Sequence, residues 1–337
     1  MNHEDSTISV DAAIALVGVV LLALSVVLYV ICKKRCAVDP DDTSTVAILP
    51  AHSHQLSDVE SATDGFHGSR VVGQGRLGTV YKATSATGDT YTVKRIHHHL
   101  VLGNPGVSFS SRMKSLSYAN HPNLVPILGF SEAPGERLII SEFVGNTKSL
   151  DYHLHQSYLE DCRRPSCGLL SWDIRIRVAA GTARGIEHLH DGSVPGIVHG
   201  CIKPSNIMLD VDFCARICDY GLSFLVEPGD RREMVGYRDG EGGGACKEND
   251  VYGLGVVLLE LLSGRRCDGG KLVEWALPLI RECRVREILD RRMGLPMDLT
   301  PLTRMAKVAS ACVGNGRKTR PSIAHVAAIL SSLEAQP

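Results

Sequence analysis

The 337-residue sequence lacks an excess of charge of either sign and also lacks closely paired cysteines. Its 36 basic and 37 acidic residues leave a formal net charge of −1, which gives no electrostatic reason to expect a nucleic acid as partner. None of its 11 cysteines forms a C-x-x-C pair, so we expect reduced cytosolic thiols rather than a disulfide framework. The apolar content of 44% is that of an ordinary packed core.

Charge is also absent from residues 12–32, which are almost entirely aliphatic. A helix of this length, at about 1.5 Å per residue, covers a hydrocarbon core of roughly 30 Å. Lys33, Lys34 and Arg35 follow at once, and basic residues stay on the cytosolic side. We therefore predict a transmembrane helix after a short extracellular tail, residues 1–11. A cleaved signal peptide is the alternative, but it would have a basic start and a shorter apolar run.

The remainder of the chain divides by composition. Residues 33–65 are rich in Asp, Ser, Thr, Pro and His, which predicts a flexible juxtamembrane linker. A folded domain is predicted from residue 66 to the end, with a β-rich part over residues 66–144 and a helical part over residues 145–337. The α+β class follows from alternating strand patterns in the first part and helical periodicity in the second.

The segment from residue 199 to residue 206 reads His-Gly-Cys-Ile-Lys-Pro-Ser-Asn. The spacing His-x-x-x-Lys-x-x-Asn is that of the catalytic loop of protein kinases. Where that loop has the aspartate that receives the proton of the substrate hydroxyl, this one has Cys201. A thiol with an ordinary pKa of about 8.5 is a poor substitute for a carboxylate base. Cys201 and Lys203 thus hold the catalytic positions, and the base itself is missing.

A glycine-rich stretch precedes this loop in the chain. Gly73, Gly75 and Gly78 form a G-x-G-x-x-G pattern, Val80 follows two residues later, and the next predicted strand ends at Lys94. Glycines let backbone N–H groups approach phosphates closely, and a lysine neutralises them. These five residues are therefore predicted to bind a nucleotide. A glycine-rich hairpin with a surface lysine is the alternative, and the catalytic-loop pattern downstream argues against it.

Taken together, residues 66–337 resemble a protein kinase domain, most closely that of the plant receptor-like kinase (Pelle-type) family. Cys218-Asp219-Tyr220-Gly221 resembles the kinase D-F-G motif. Further likeness lies in Leu170-Ser171-Trp172, residues 185–190, residues 250–264 and Arg320-Pro321-Ser322. The resemblance implies a two-lobed kinase fold, with a β-rich N-lobe and a helical C-lobe, and ATP with Mg²⁺ as cofactor. It also implies Ser/Thr substrates, and Asn206 and Asp219 as the Mg²⁺ ligands if a nucleotide binds.

Several supports of kinase chemistry are missing on the nucleotide side. No Asp or Glu occurs between Asp89 and Glu132. By the resemblance, the glutamate that holds Lys94 should stand at Arg112, and a cation there would repel the lysine. We therefore expect Lys94 to pair with Asp219. Thr92 likewise replaces the small alanine that would lie against the adenine ring.

The activation loop, predicted from Asp219 to Glu241, lacks a phosphorylation switch. No Ser or Thr occurs between Phe224 and Asp250, and Gly200 stands where the resemblance expects an arginine that would bind a phosphate. By the same resemblance, we expect Glu241 to pair with Arg320 and to tie the end of the loop to a helix.

These observations predict a receptor-like pseudokinase that crosses the plasma membrane once, with its kinase-like domain in the cytosol. It would act as a scaffold or allosteric partner of other receptor-like kinases or of cytosolic signalling proteins. A slow or atypical ATP-dependent Ser/Thr protein kinase is the alternative, because Lys94, Lys203, Asn206 and Asp219 are all present. A third reading is a nucleotide-sensing switch that binds ATP without turnover.

Overall fold

A six-stranded sheet forms the N-terminal lobe of the computed structural model, in the order β1-β5-β6-β4-β3-β2. Neighbouring strands are antiparallel, except that β1 runs parallel to β5. The structure describes residues 50–103, 108–145, 148–156, 169–226, 237–241, 244–314 and 316–335. The strands are β1 (His52–Ser53), β2 (Val71–Gln74), β3 (Gly78–Thr84), β4 (Thr90–Ile96), β5 (Ile127–Ala133), β6 (Glu136–Glu142), β7 (Ile207–Leu209) and β8 (Ala215–Ile217).

Helices build most of the second lobe, with β7 and β8 paired in a small antiparallel ribbon. The helices are α1 (Leu56–Ala62), α2 (His98–Gly103), α3 (Phe109–Ser117), α4 (Trp172–Glu187), α5 (Lys247–Ser263), α6 (Lys271–Arg281), α7 (Thr300–Cys312) and α8 (Ile323–Glu334). The first three belong to the sheet lobe. The predicted two-lobed α+β architecture, with a β-rich N-lobe and a helical C-lobe, is confirmed.

The buried centre of the helical lobe is α5, which is apolar around nearly its whole circumference. It runs from Lys247 to Ser263 and is followed by Gly264, whose φ of 62° suits a residue without a side chain. Helix α4 begins at Ser171, whose hydroxyl accepts a hydrogen bond from the backbone N–H of Ile174. Both helices contribute to one apolar core that also contains residues of the sheet lobe.

The two faces of the sheet have different neighbours because side chains alternate along a strand. On one face, Val93 packs with Leu138 and with α1 through Val59 and Ala62, in a separate small core. Residues 92 and 94 of β4 lie on the opposite face. That face looks toward the helical lobe, because the side chain of residue 94 pairs there with Asp219.

The sequence assigned residues 33–65 to a flexible linker, and this is wrong for the part that the structure describes. Residues 52–53 add a strand to the sheet, and residues 56–62 form α1. Leu56, Val59 and Ala62 have helical spacing and pack against the sheet. The prediction relied on the polar composition of the segment and did not take this spacing into account.

The predicted transmembrane helix, residues 12–32, lies outside the described residues. Within those that are described, no helix is both long enough and apolar enough to cross a membrane.

Candidate active site

A buried carboxylate on α5 holds the backbone of the predicted catalytic loop. The oxygens of Asp250 accept hydrogen bonds from the backbone N–H groups of His199 and Gly200, each at 2.8 Å. The ring of His190 lies 2.8 Å from the same carboxylate. Asp250 and His199 are almost fully buried, so these bonds form in a medium that strengthens them. Gly200 has a φ of 80°, which explains why a residue without a side chain stands there.

The ring of His199 connects the catalytic loop to the segment that contains Asp219. Burial lowers the pKa of His199, so the ring is neutral near pH 7 and one nitrogen donates while the other accepts. Nδ1 accepts from the N–H of Cys201 at 3.2 Å, and Nε2 donates to the carbonyl oxygen of Cys218 at 3.0 Å. Hydrogen bonds therefore fix the backbone on both sides of the missing base.

Asn206 closes the loop from its other end. The side-chain nitrogen of Asn206 donates to the backbone carbonyl oxygen of Cys201 at 2.9 Å. The backbone carbonyl oxygen of Asn206 accepts a hydrogen bond from the backbone N–H of Cys218 at 3.0 Å. Lys203 is half-buried and directly precedes the short helical turn Pro204–Asn206. The structure therefore brings Cys201, Asn206 and the Asp219 segment together, and Lys203 lies on the same loop.

Lys94 forms an ion pair with Asp219, as expected from the sequence. The two side chains are 16% and 19% exposed. Burial by itself would lower the pKa of Lys94, but the charge and the hydrogen bond of Asp219, together with the nearby Cys218 and Cys201, outweigh that effect and the pKa is raised. Lys94 is therefore positively charged at neutral pH. Cys218 and Cys201 are the other titratable side chains close enough to influence it, and burial raises the pKa of Cys218 to about 12.

Helix α3 does not supply a second acid to Lys94. The residue at the expected glutamate position, Arg112, is exposed on this helix. Its guanidinium lies 5.7 Å from the centre of the Phe224 ring, in the range of a cation–π contact. No acidic residue occurs in α3, so Asp219 is the only carboxylate that pairs with the lysine in the described part of the cleft.

The glycine-rich stretch forms the hairpin between β2 and β3. Gly75 and Gly78 exchange backbone hydrogen bonds of 3.0 and 3.2 Å. A Cβ atom on Gly78 would lie 2.0 Å from the carbonyl oxygen of Arg95, whereas one on Gly75 would meet nothing within 4 Å. Gly78 is thus required by packing against β4. Gly73 and Gly75 instead leave open space of the kind that phosphate groups need.

Val80 and Thr92 complete the sheet side of the cleft. Val80 lies directly opposite Lys94 in the β3–β4 register, so both side chains are on the cleft face. Thr92 lies on this face as well, two residues before Lys94, and its hydroxyl donates to the carbonyl oxygen of Ser141 at 3.1 Å. By the resemblance to protein kinases, residue 92 would lie against the adenine ring of a bound nucleotide.

The residues of the cleft include groups for both the phosphates of ATP and Mg²⁺. Gly73, Gly75 and Lys94 would hold the phosphates, with open backbone and a cation. Mg²⁺ needs hard oxygen ligands, which Asp219 and the side-chain oxygen of Asn206 would supply once Asp219 exchanged Lys94 for the ion. Among the residues that the structure describes, no cluster of three His, Cys, Asp or Glu side chains is arranged to hold a metal ion.

An apolar column joins the two lobes beside the site. Its members are all buried: Leu116, Ile127, His199 and Tyr220. The hydroxyl of Tyr220 also donates to the carbonyl oxygen of Val125 at 3.2 Å. The tyrosine of the D-F-G-like motif therefore packs as a phenylalanine would and satisfies its polar atom as well.

The expected pairing of Glu241 with Arg320 is wrong. Arg320 pairs with Asp239 at 2.7 Å, and Glu241 lies 3.7 Å from Arg317 instead. The physical reason is burial, because the side chain of Asp239 is 6% exposed and that of Glu241 is 46% exposed.

The structure contains another ion pair that the sequence did not predict. Glu142, at the end of β6, accepts two hydrogen bonds from Arg216 of β8, at 2.8 and 2.7 Å. This ion pair links the two lobes. Because Glu142 and Arg216 are 74 residues apart, no local sequence pattern indicates the pair.

The fold and the cleft together define a protein kinase domain. The sequence profile of the family described as protein kinase domain matches residues 66–328, and the chain belongs to this family. Its relatives place it with the plant receptor-like (RLK/Pelle) kinases.

Three relatives illustrate the likeness. The serine/threonine-protein kinase-like protein CCR2 of Arabidopsis thaliana is 34% identical over 311 residues, which are 88% of this chain and 37% of CCR2. Salt tolerance receptor-like cytoplasmic kinase 1 of Oryza sativa subsp. japonica is 32% identical over 322 residues, 87% of this chain and 85% of that protein. The pseudokinase domain of BIR2, an immune regulator of the RLK/Pelle family, has a TM-score of 0.69 and 32% identity, with 83% of this chain and 85% of that domain covered.

The chain spans less than half the length of some of these relatives. It covers 37% of CCR2 and 42% of the proline-rich receptor-like protein kinase PERK8 of Arabidopsis thaliana.

Proposed function

We propose that this chain is a membrane-anchored receptor-like pseudokinase that acts as a scaffold or allosteric partner in kinase signalling. The observation that carries the proposal is the catalytic loop itself. Asp250 and His199 hold its backbone through three hydrogen bonds, and a fourth joins the ring of His199 to Cys218, yet a thiol occupies the position of the base. A catalytic loop whose backbone is fixed by hydrogen bonds keeps the domain surface in shape for binding a partner, even without phosphoryl transfer.

The size of the chemical loss supports the same conclusion. Removing a general base typically costs about 10²- to 10⁴-fold in rate. Kinase chemistry also needs the lysine to pair with a glutamate of the following helix while the Asp219 position holds Mg²⁺, whereas α3 has no acid and Lys94 pairs with Asp219 instead. Such losses need not add, but both act on the same phosphoryl transfer, and neither has a replacement in the described part of the cleft.

The sequence and the relatives support the proposed location and the proposed partners. The uncharged residues 12–32, followed by three basic residues, favour a single membrane crossing with the kinase-like domain in the cytosol. Receptor kinases such as EMS1 and phytosulfokine receptor 1 are among the relatives, and the related BIR2 pseudokinase is described as an immune regulator. Other receptor-like kinases or cytosolic signalling proteins are therefore the proposed partners.

A slow Ser/Thr protein kinase is the second candidate. The observation in its favour is that Lys94, Asp219, Asn206 and the Cys201 loop come together. Positioning and electrostatics supply most of phosphoryl-transfer catalysis, so residual activity is compatible with this geometry.

Phosphotransfer by the full chain in detergent micelles separates the two candidates. Labelled ATP is supplied with Mg²⁺ and then with Mn²⁺, with Lys94→Met and Cys201→Asp as variants. We expect no incorporation by the native protein. Incorporation that disappears in Lys94→Met would make this chain a kinase and overturn the pseudokinase proposal. Capture of the tagged protein from its own membranes tests the partner role, which predicts recovery of at least one receptor kinase.

A further inference from the structure

The end of α6 and the loop after it are rich in arginine. Residues 281–292 contain five arginines and three acids. Each of the three acids already pairs with an arginine of the same segment. Within the part of the chain that the structure describes, Arg281, Arg286 and Arg291 form no ion pair. The segment therefore carries positive charge that the domain itself does not neutralise.

A cavity of about 240 Å³ borders this loop and is lined by residues 263–265 and 287–292. Pockets for drug-sized ligands measure about 300–1,000 Å³, so this cavity suits a smaller group. Arg265 and Arg291 are both exposed and both line it. Neither forms an ion pair with another described residue. The cavity thus offers two unpaired cations to a small anion.

An aromatic ring holds the first of these two cations in place. The guanidinium of Arg265 lies 4.0 Å from the centre of the Trp275 ring, at the distance of a stacked cation–π contact. A stacked arginine keeps its planar set of N–H donors free for an anion. It also loses less conformational freedom on binding than an unsupported side chain does. Arg265 is therefore preorganised for a ligand.

The carboxylates that line the cavity do not cancel its positive charge. Asp290 is almost fully buried and accepts hydrogen bonds from Arg175 and Arg292, each at 2.7 Å. Glu287 accepts two hydrogen bonds from Arg284, at 2.7 and 2.8 Å. Both acids are thus already matched by arginines, and the charges of the two unpaired arginines remain.

We propose that Arg265 and Arg291 bind the phosphate of a phosphoserine or phosphothreonine on a protein partner at this cavity. A phosphate monoester carries nearly two negative charges near pH 7 and three acceptor oxygens, so it matches two arginines better than one carboxylate does. A concave cavity admits a side chain that projects from a peptide, whereas a flat anionic bilayer would also meet the exposed Glu282 and Glu287. The inference goes beyond the proposed function, because no residue that lines this cavity belongs to the nucleotide cleft.

The test uses the full chain in detergent micelles and a fluorescent peptide library with one fixed phosphoserine among neutral residues. Matched libraries carry serine or glutamate at the fixed position. We expect the phosphoserine library to bind at least about tenfold more tightly than either. Inorganic phosphate and inositol trisphosphate, a soluble lipid head group, are the competitors. Equal binding of the three libraries, no binding of any, or displacement by either competitor below the dissociation constant of the phosphoserine library would each overturn the inference.

Arg286 provides a matched control, because it is exposed and unpaired on the same loop but does not line the cavity. Arg291→Ala and Arg265→Gln should each weaken binding of the phosphoserine library about tenfold, and Arg286→Ala by less than about twofold. An equal loss in all three would show a general attraction of charge and overturn the site. Thermal unfolding reports whether each variant is folded. If Arg265→Gln unfolds, Arg291→Ala still decides the outcome.

Discussion

Arg320 forms its ion pair with Asp239, at 2.7 Å, and not with Glu241 two residues later. Asp239 also accepts two hydrogen bonds from Arg317, at 2.9 and 2.8 Å. The pairing is well shielded, because the side chain of Arg320 is 2% exposed. The end of the activation segment is therefore tied to the residues just before α8 by an acid that stands two positions earlier than expected.

Asp239→Asn should destabilise the domain, whereas Glu241→Gln should not. Removing one partner of a buried pair leaves the other charge uncompensated, so we expect Asp239→Asn to lower the free energy of unfolding by about 2–3 kcal/mol. Glu241 is largely solvated, and Glu241→Gln should change that free energy by less than about 0.5 kcal/mol. Urea unfolding of both variants measures the difference, and equal effects would contradict the assignment of Asp239 as the anchor.

The same pair makes stability depend on pH in a defined window. Hydrogen bonds from Arg317, together with Arg320, lower the pKa of Asp239 from 3.8 to about 2. A carboxyl group with a lowered pKa in the folded state stabilises that state above its unfolded pKa and loses this contribution as the pH falls through the folded value. We expect the free energies of unfolding of the native protein and of Asp239→Asn to differ by the full amount above about pH 4. The difference should shrink toward pH 2. A difference in unfolding free energy that stays constant over this range would count against the ion pair.

The sequence predicted the parts of the site that depend on spacing along one segment. The glycine pattern and the loop from His199 to Asn206 are recognised from such spacing. The pairing of Lys94 with Asp219 was expected for a different reason, because no acid occurs between Asp89 and Glu132. Asp239 was misassigned because two acids stand two residues apart, and only tertiary burial selects between them. The pair of Glu142 and Arg216 is set by the packing of the two lobes, which no local pattern describes.

The N-terminal boundary of the domain was also mispredicted, because it depends on tertiary contacts that no local pattern describes. A composition rich in polar residues predicted a linker up to residue 65, but Ala51 is buried and its backbone N–H donates to the hydroxyl of Ser117 at 2.8 Å. The strand β1 pairs with β5 through its backbone, so its side chains carry little signal. Backbone pairing at a sheet edge is decided by the partner strand rather than by the composition of the added segment.

Ser117→Ala should therefore destabilise the domain, because it removes the acceptor of a buried N–H at the end of α3. An unsatisfied buried donor costs about 1–3 kcal/mol, and we expect a loss of this size in the free energy of unfolding. Ser115→Ala, on the exposed side of the same helix, is the matched control and should stay within about 0.5 kcal/mol of the native protein. Limited proteolysis should also cut residues 50–54 faster in Ser117→Ala. Indistinguishable variants would show that β1 does not depend on this bond.

Thr92 limits the space for a nucleotide base, and its replacement by alanine should raise nucleotide affinity. The Thr92 side chain is on the cleft face, and its hydroxyl is fixed by the carbonyl oxygen of Ser141. Thr92→Ala removes a methyl and a hydroxyl from that face, and we expect the dissociation constant for ATP to fall about three- to tenfold. Thr90→Ala is the control, since residue 90 lies on the same face of β4 at its exposed end, and its affinity should be unchanged. Calorimetric titration of ATP compares the two variants with the native protein. If Thr92→Ala bound ATP no better than Thr90→Ala, the threonine would be a neutral part of the cleft wall, and any weakness of binding would have to arise at the phosphate end, around Lys94.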